Sequence, residues 1–176
     1  MPSKLEIFNL TNAERAREGL SALIYNPALD SAAQSHNDWM YSNTYSHTGS
    51  GGSSIGERMT NAGFIWSMAA ENIAAGYTTS EAVVNGWMNS PGHRANILNT
   101  TITHIGIGIT AGENSSPGYD YFYTQNFGKA QSGYTPSSSS PSSNQISLTS
   151  TTPTPTPDPV ATYSITPSAS TIDEGD

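Results

Sequence analysis

Three side chains stand out as candidates for chemistry. Glu71 sits inside Ala69-Ala70-Glu71-Asn72-Ile73-Ala74-Ala75, a run otherwise small and mostly apolar. A carboxylate in such a setting must pair, hydrogen-bond or bind a metal, and a purely structural glutamate explains the run equally well. His47 lies in Ser46–Ser53, a Gly/Ser loop where packing gives no reason for an imidazole. His93 follows Ser90-Pro91-Gly92, just inside a helix start. The positive end of a helix dipole there favours the neutral, ligand-competent ring. The other two histidines have simpler readings. His36 falls on the apolar stripe of a helix, as a hydrogen-bonded core histidine would, and His104 ends a strand. Glu57 is explained by the capping box Ser54-Ile55-Gly56-Glu57. No P-loop, no G-x-S-x-G elbow, no H-E-x-x-H and no EF-hand loop occurs.

These residues need elements to carry them. Leu5 to Glu18 reads as a helix stopped by Gly19. Pro27 opens a second, with the stripe Leu29, Ala32, Ala33, His36 and Met40. Ser54 starts a short helix that ends at Gly63. Thr78-Thr79-Ser80-Glu81 reads as a second capping box, opening a helix that buries Val84, Trp87 and Met88. Ser90-Pro91 caps and starts another short helix. Two strands follow. In Ile105-Gly106-Ile107-Gly108-Ile109 the isoleucines face one way and the glycines the other, so that another layer approaches the glycine face closely. Tyr119 to Phe127 alternates as its antiparallel partner. Helices first and a hairpin last predict an α+β class.

The chain has 176 residues, 6 basic and 14 acidic, for a net charge of −8. That balance argues against nucleic acid or an anionic membrane surface as partner, since both need clustered Lys and Arg. No cysteine is present, which removes disulfides, thiolate metal sites and a Cys nucleophile. No apolar run is long enough to span a membrane, and the start Met1-Pro2-Ser3-Lys4-Leu5-Glu6 has no signal-peptide character. Composition changes near residue 130. All six basic residues, all 3 Trp and all 4 Phe precede it, whereas 131–159 is rich in Ser, Thr and Pro. Thr152-Pro153-Thr154-Pro155-Thr156-Pro157 cannot form a helix or a ladder and reads as a disordered linker. Residues 160–176 contain a strand-like Val160 to Pro167 and resemble the start of a Calx-beta or similar extracellular β-sandwich repeat. The expected units are 1–130, 131–159 and 160–176, with the first folding alone as a monomer.

Taken together, Asn12-x-x-Arg15, Ser46-His47-Thr48, Ala70-Glu71-Asn72-Ile73-Ala74, Trp87-Met88-Asn89-Ser90-Pro91-Gly92-His93-Arg94, Thr103-His104-Ile105-Gly106 and Tyr123-Thr124-Gln125-Asn126-Phe127 resemble the CAP superfamily. That group comprises cysteine-rich secretory proteins, antigen 5 and pathogenesis-related class 1 proteins; the likeness is nearest to its bacterial SCP-like branch. The resemblance implies an α-β-α sandwich with a central antiparallel sheet. It also implies a cleft in which His47 and His93 hold a divalent cation, Zn²⁺ by preference, with Glu71 beside them. The second glutamate of the family tetrad falls on Ser90, and the family's disulfides are missing. The implied role is an extracellular or cell-surface binding or adhesion module for a lipid, glycan or protein ligand. The alternative is a metal-assisted, peptidase-like hydrolase in which Glu71, His47 and His93 are catalytic. In either case affinity for the cation should fall as pH drops through the imidazole range.

Overall fold

The structure, a computed structural model, describes residues 1–113, 115, 118–139 and 141, together with strand backbones at 162–165 and 172–175. The Thr-Pro stretch, and the 160–176 segment apart from those strands, lie outside the described residues.

Four of the five α-helices begin at a side-chain cap. In α1 (Lys4–Arg17), Ser3 accepts a hydrogen bond from the Glu6 N–H, and the chain turns away through Gly19 at φ +71°. In α2 (Pro27–Ser42), the Asn26 side chain accepts from both Ala28 and Leu29 N–H groups, and Pro27 supplies the preset φ of the first turn. In α3 (Ile55–Asn61), the Ser54/Glu57 capping box forms in full. The cap of α4 (Ser80–Asn89) is Thr79, bonded to the Ala82 N–H, one residue later than the expected Thr78 box. In α5 (Pro91–Ile97), Ser90 makes no side-chain cap; Pro91 begins the helix instead.

The sheet runs β1 (Ile24–Tyr25), β3 (His104–Ala111), β4 (Tyr121–Ala130), β2 (Trp66–Ala75) in spatial order. The long strands are antiparallel, and only the two-residue β1 joins in parallel. Strand β2 has no periodicity to announce it. Residues 69–75 are buried on both faces, so the usual in–out alternation is erased. Strand β5 (Thr162–Ile165) adds to the outer edge of β2 with Thr162 opposite Asn72, and β6 (Ile172–Gly175) pairs with β5.

Each face carries its own core. Ile105, Ile107, Ile109, Tyr123 and Phe127 pack with Ile7 of α1, Val83, Val84 and Trp87 of α4 and Ile97 of α5. On the other face Leu29 and Ala32 of α2 meet Ile55 and Met59 of α3, Phe64 and Ala69. The result is the α-β-α sandwich. The glycine face is as tight as its sequence implies. A Cβ on Gly106 would lie 2.1 Å from the Asp30 nitrogen and the Leu29 carbonyl carbon, and one on Gly108 would lie 2.5 Å from the Ala33 carbonyl.

Candidate functional site

Strand β2 directs neighbouring residues to opposite faces. Glu71 turns to the α2 side, where it is fully buried. Its Oε1 accepts from His47 Nδ1 at 2.9 Å, and its Oε2 accepts from Arg58 Nη2 at 2.8 Å. Asn126, its amide oriented as its surroundings require, donates to Oε2 at 3.0 Å and accepts from the Ala33 N–H. Asn126 is the cross-strand partner of Glu71, so register alone brings them together. Burial pushes the carboxyl pKa up. That push is outweighed by Arg58, then His36 and His47, and the group stays ionised well below the ordinary carboxylate range.

Arg58 does more than pair. Its Nη1 donates to the carbonyls of His47 at 3.0 Å and Ser53 at 2.7 Å. One guanidinium on α3 thereby fixes both ends of the Gly/Ser loop and the carboxylate that holds His47. His36 completes the group: its Nε2 lies 2.9 Å from the Ser46 carbonyl and 3.9 Å from Glu71 Oε1. Burial lowers the His36 pKa to about 4, so the ring is neutral and donates through Nε2 to the carbonyl.

Asn72 turns to the opposite face and meets α5. Its Nδ2 donates to the His93 carbonyl at 3.2 Å and to Gln125 Oε1 at 3.1 Å. Asn96 Nδ2 donates to the Glu71 carbonyl and to Asn72 Oδ1, and Gln125 passes the chain on to Thr11 Oγ1 and the Ile7 carbonyl. Arg15, buried in α1, donates through Nη1 to the Ile97 and Asn99 carbonyls at the C-terminal end of α5. This network seats His93. The ring is fully buried, and neither nitrogen has a hydrogen-bond partner. Its pKa falls to about 3, first through burial and then through the nearby His47. Burial rather than the helix dipole is therefore the main cause of its neutrality. The ring stays unprotonated through the pH range in which an ordinary imidazole titrates.

The structure bonds His47 to Glu71 and sets His47 near enough to His93 for the two rings to interact electrostatically. His104 lies elsewhere, bonded to Thr103 Oγ1 and set edge-on to Phe64. Sequence reasoning treated His36 as a core histidine and passed over Arg58. One signal for Arg58 was available: it is the single basic residue between Arg17 and Arg94, and a buried carboxylate needs a cation. Among the described residues no group of three or more His, Asp and Glu side chains is placed to hold a metal ion. The implied cation does fit the donors present in one respect: His93 offers two buried, unpartnered nitrogens.

An α-β-α sandwich whose central sheet buries a glutamate bonded to a loop histidine defines a recognisable class of domain. The model of the cysteine-rich secretory protein family, CAP, matches residues 8–127, more than half the chain, and the chain belongs to that family. Its members' name notwithstanding, the chain has no cysteine. It is 41% identical over 104 residues to the uncharacterised protein YkwD of Bacillus subtilis, covering 58% of this chain and 40% of that one. A crystal structure of an extracellular, SCP-domain protein from Bacillus anthracis aligns at 37% identity and a TM-score of 0.62, over 70% of this chain and 39% of that one. An outer surface protein of Borrelia burgdorferi shares the fold at a TM-score of 0.63 and 23% identity, over 71% and 90% of the two chains. The chain thus spans about two fifths of the two Bacillus proteins, and its likeness is to bacterial members of the family. No helix among the described residues is long and apolar enough to cross a membrane.

Proposed function

We propose that this CAP domain is an extracellular or surface-exposed binding module whose cleft takes a divalent cation between His47 and His93. The observation that carries the reading is His93, a buried imidazole with two unpartnered nitrogens beside a second imidazole. Burying such a group without partners costs free energy, and a metal would recover it. Glu71 supports the same reading. By accepting from His47 Nδ1–H, it fixes the tautomer that leaves Nε2 as the lone-pair nitrogen. Imidazole donors favour Zn²⁺ among common cations. When bound, such an ion polarises an oxygen ligand or lowers the pKa of a water. Extracellular placement is supported by the likeness to the Bacillus anthracis protein, which is described as extracellular.

In the hydrolase reading, Glu71 would be the base. Both of its oxygens already accept hydrogen bonds, from His47 on one side and Arg58 and Asn126 on the other. That arrangement suits a positioning residue for His47 better than a proton acceptor for water.

Calorimetric titration with Zn²⁺ at pH 7.5 tests the site. The expected result is one saturable site per chain that disappears in both His47→Ala and His93→Ala, while Glu71→Gln weakens it about 10- to 100-fold. Binding that survives both alanine substitutions overturns the reading.

A further inference from the structure

The outer edge of β2 is suited to receive another strand. The Gly76 N–H donates to the Tyr121 carbonyl and continues the pairing in which Ala75 lies opposite Phe122. Antiparallel partners exchange backbone bonds at every second residue. Gly76 therefore sets the phase: Ala70, Asn72 and Ala74 bond to β4, and the backbone groups of Ala69, Glu71 and Ile73 point the other way. Two side chains agree with that direction. Asn96 Nδ2 donates to the Glu71 carbonyl and Trp87 Nε1 to the Ile73 carbonyl, each at 3.2 Å. Both bonds serve carbonyls. The N–H groups of the same two residues are donors, and a strand laid along the edge offers the carbonyls they need.

This edge also lacks protection. Edge strands are usually blunted by Lys, Pro, charge or bulges. β2 has no Lys, Arg or Pro, and its register shift lies at its start, between Trp66 and Met68. Its one charged residue, Glu71, is committed to Arg58 and His47. Left open, such an edge is a template for any strand it meets. β6 differs: Ile172-Asp173-Glu174-Gly175 puts two carboxylates on four residues. With Thr162 opposite Asn72 and β6 paired to β5, the sheet ends on a short charged strand instead of a long apolar one.

The chain has the reach for this arrangement. The Ser139 N–H donates to the Tyr25 carbonyl on β1, at the opposite edge of the sheet. From β1 to β5 is four strand spacings, about 19 Å. Residues 140–161 span up to about 70 Å at about 3.1 Å each. A strand so tethered is present at roughly millimolar effective concentration. The register sets Tyr163 opposite Glu71, one of the residues whose backbone faces the edge, and β5 also lies against α5. We infer that the outer edge of β2 is a strand-accepting site whose occupant is residues 162–165 of this same chain. The chain then returns to the sheet after its Ser/Thr/Pro linker and completes the CAP sheet, in place of opening a separate repeat. The inference is independent of the cation reading.

Residue-resolved amide exchange of the full chain tests the proposal, with Tyr163→Pro as the variant. The substitution removes a backbone N–H from the added strand. We expect the Glu71 and Ile73 amides to exchange at least about tenfold faster in the variant, while those of Ala70, Asn72 and Ala74, bonded to β4, keep the parent's rate. Their retained protection shows that the variant is folded. A peptide of residues 160–176, added to the variant at about 1 mM to match the tethered concentration, should restore part of the lost protection. The proposal is overturned if Glu71 and Ile73 exchange alike in parent and variant, if both sets of amides quicken by the same factor, or if the peptide restores nothing. Protection of Glu71 and Ile73 that rises with protein concentration assigns the strand to a second copy and overturns the intramolecular reading.

Discussion

Helix α2 lies on Gly106 and Gly108 so closely that no side chain fits between, and Leu29, Ala32 and Met40 seal the contact apolarly. Helix α5, on the other face, is held by Asn72, Asn96 and Arg15 through hydrogen bonds to its own backbone and side chains. The lengths account for the difference. α2 has 16 residues and enough surface to dock by burial. α5 has 7, below the length at which a helix holds itself together, and must be tied at both ends. Each helix delivers one imidazole, His36 from the packed side and His93 from the tied side. Packing fixes a helix by shape, and a polar network fixes one residue at a time, leaving room for an unpartnered ring.

The packed side should fail hardest. Gly106→Ala places a methyl 2.1 Å from α2 backbone atoms that cannot swing aside as a side-chain tip would. Ordinary overpacking costs roughly 1–3 kcal/mol. Here the whole helix must move, and a loss above about 4 kcal/mol is expected, at the severe end for single substitutions. Urea denaturation measures it. A loss under about 1 kcal/mol would show that α2 is not seated as tightly as the glycines imply.

Much of this contrast could be read from the chain. The Ile/Gly alternation named both faces of β3, and Pro27, Gly19 and the Ser54/Glu57 box marked helix limits, because capping and left-handed turns depend on local residue types. Strand β2 escaped because burial on both faces removes the pattern on which strand recognition depends. His47, Glu71 and His93 were found as residues out of place in their segments. Arg58 and the Asn72–Asn96–Gln125 chain were not, since each looks ordinary in its own segment and acquires its role only from register and docking.

The next effect compares the two imidazoles directly. In the metal-free protein burial holds His36 at about 4 and His93 at about 3, against about 6.5 in an unfolded chain. His36 is faced by Glu71, which opposes the shift, and by Arg58 and His47, which add to it. His93 is faced by His47. Between those values and 6.5 the unfolded chain binds more protons, so stability rises with pH there. It is fully present above about pH 6.5 and lost as pH falls toward 4 and then 3. From pH 7 to pH 5 a loss of about 3 kcal/mol is expected, most of it abolished in a His36→Gln, His93→Gln double variant. Thermal unfolding across that range checks it, and a flat profile would place both rings in contact with water.

The smallest effect isolates the ties on α5. Asn96 Nδ2 donates to the Glu71 carbonyl at 3.2 Å and to Asn72 Oδ1 at 2.9 Å, joining α5 to β2 at the strand position that carries the carboxylate. Removing it leaves two acceptors buried with a donor fewer, which costs about 2 kcal/mol. Asn96→Ala also removes volume, so Asn96→Leu is the informative companion: it keeps apolar bulk and lacks the donors. If hydrogen bonds hold the helix, both variants lose about the same stability, and amide exchange quickens first in Pro91–Ile97 while α2 stays protected. If packing holds it, Asn96→Leu keeps the parent's stability and protection. The same pair of variants reports on the proposed cation site. A loosened α5 no longer presents His93 at a fixed place, so the Zn²⁺ affinity expected of the parent should fall in both. An affinity unchanged alongside faster exchange would mean that His93 is positioned from the sheet side, by the Asn72 bond to its carbonyl, with Asn96 serving the helix alone.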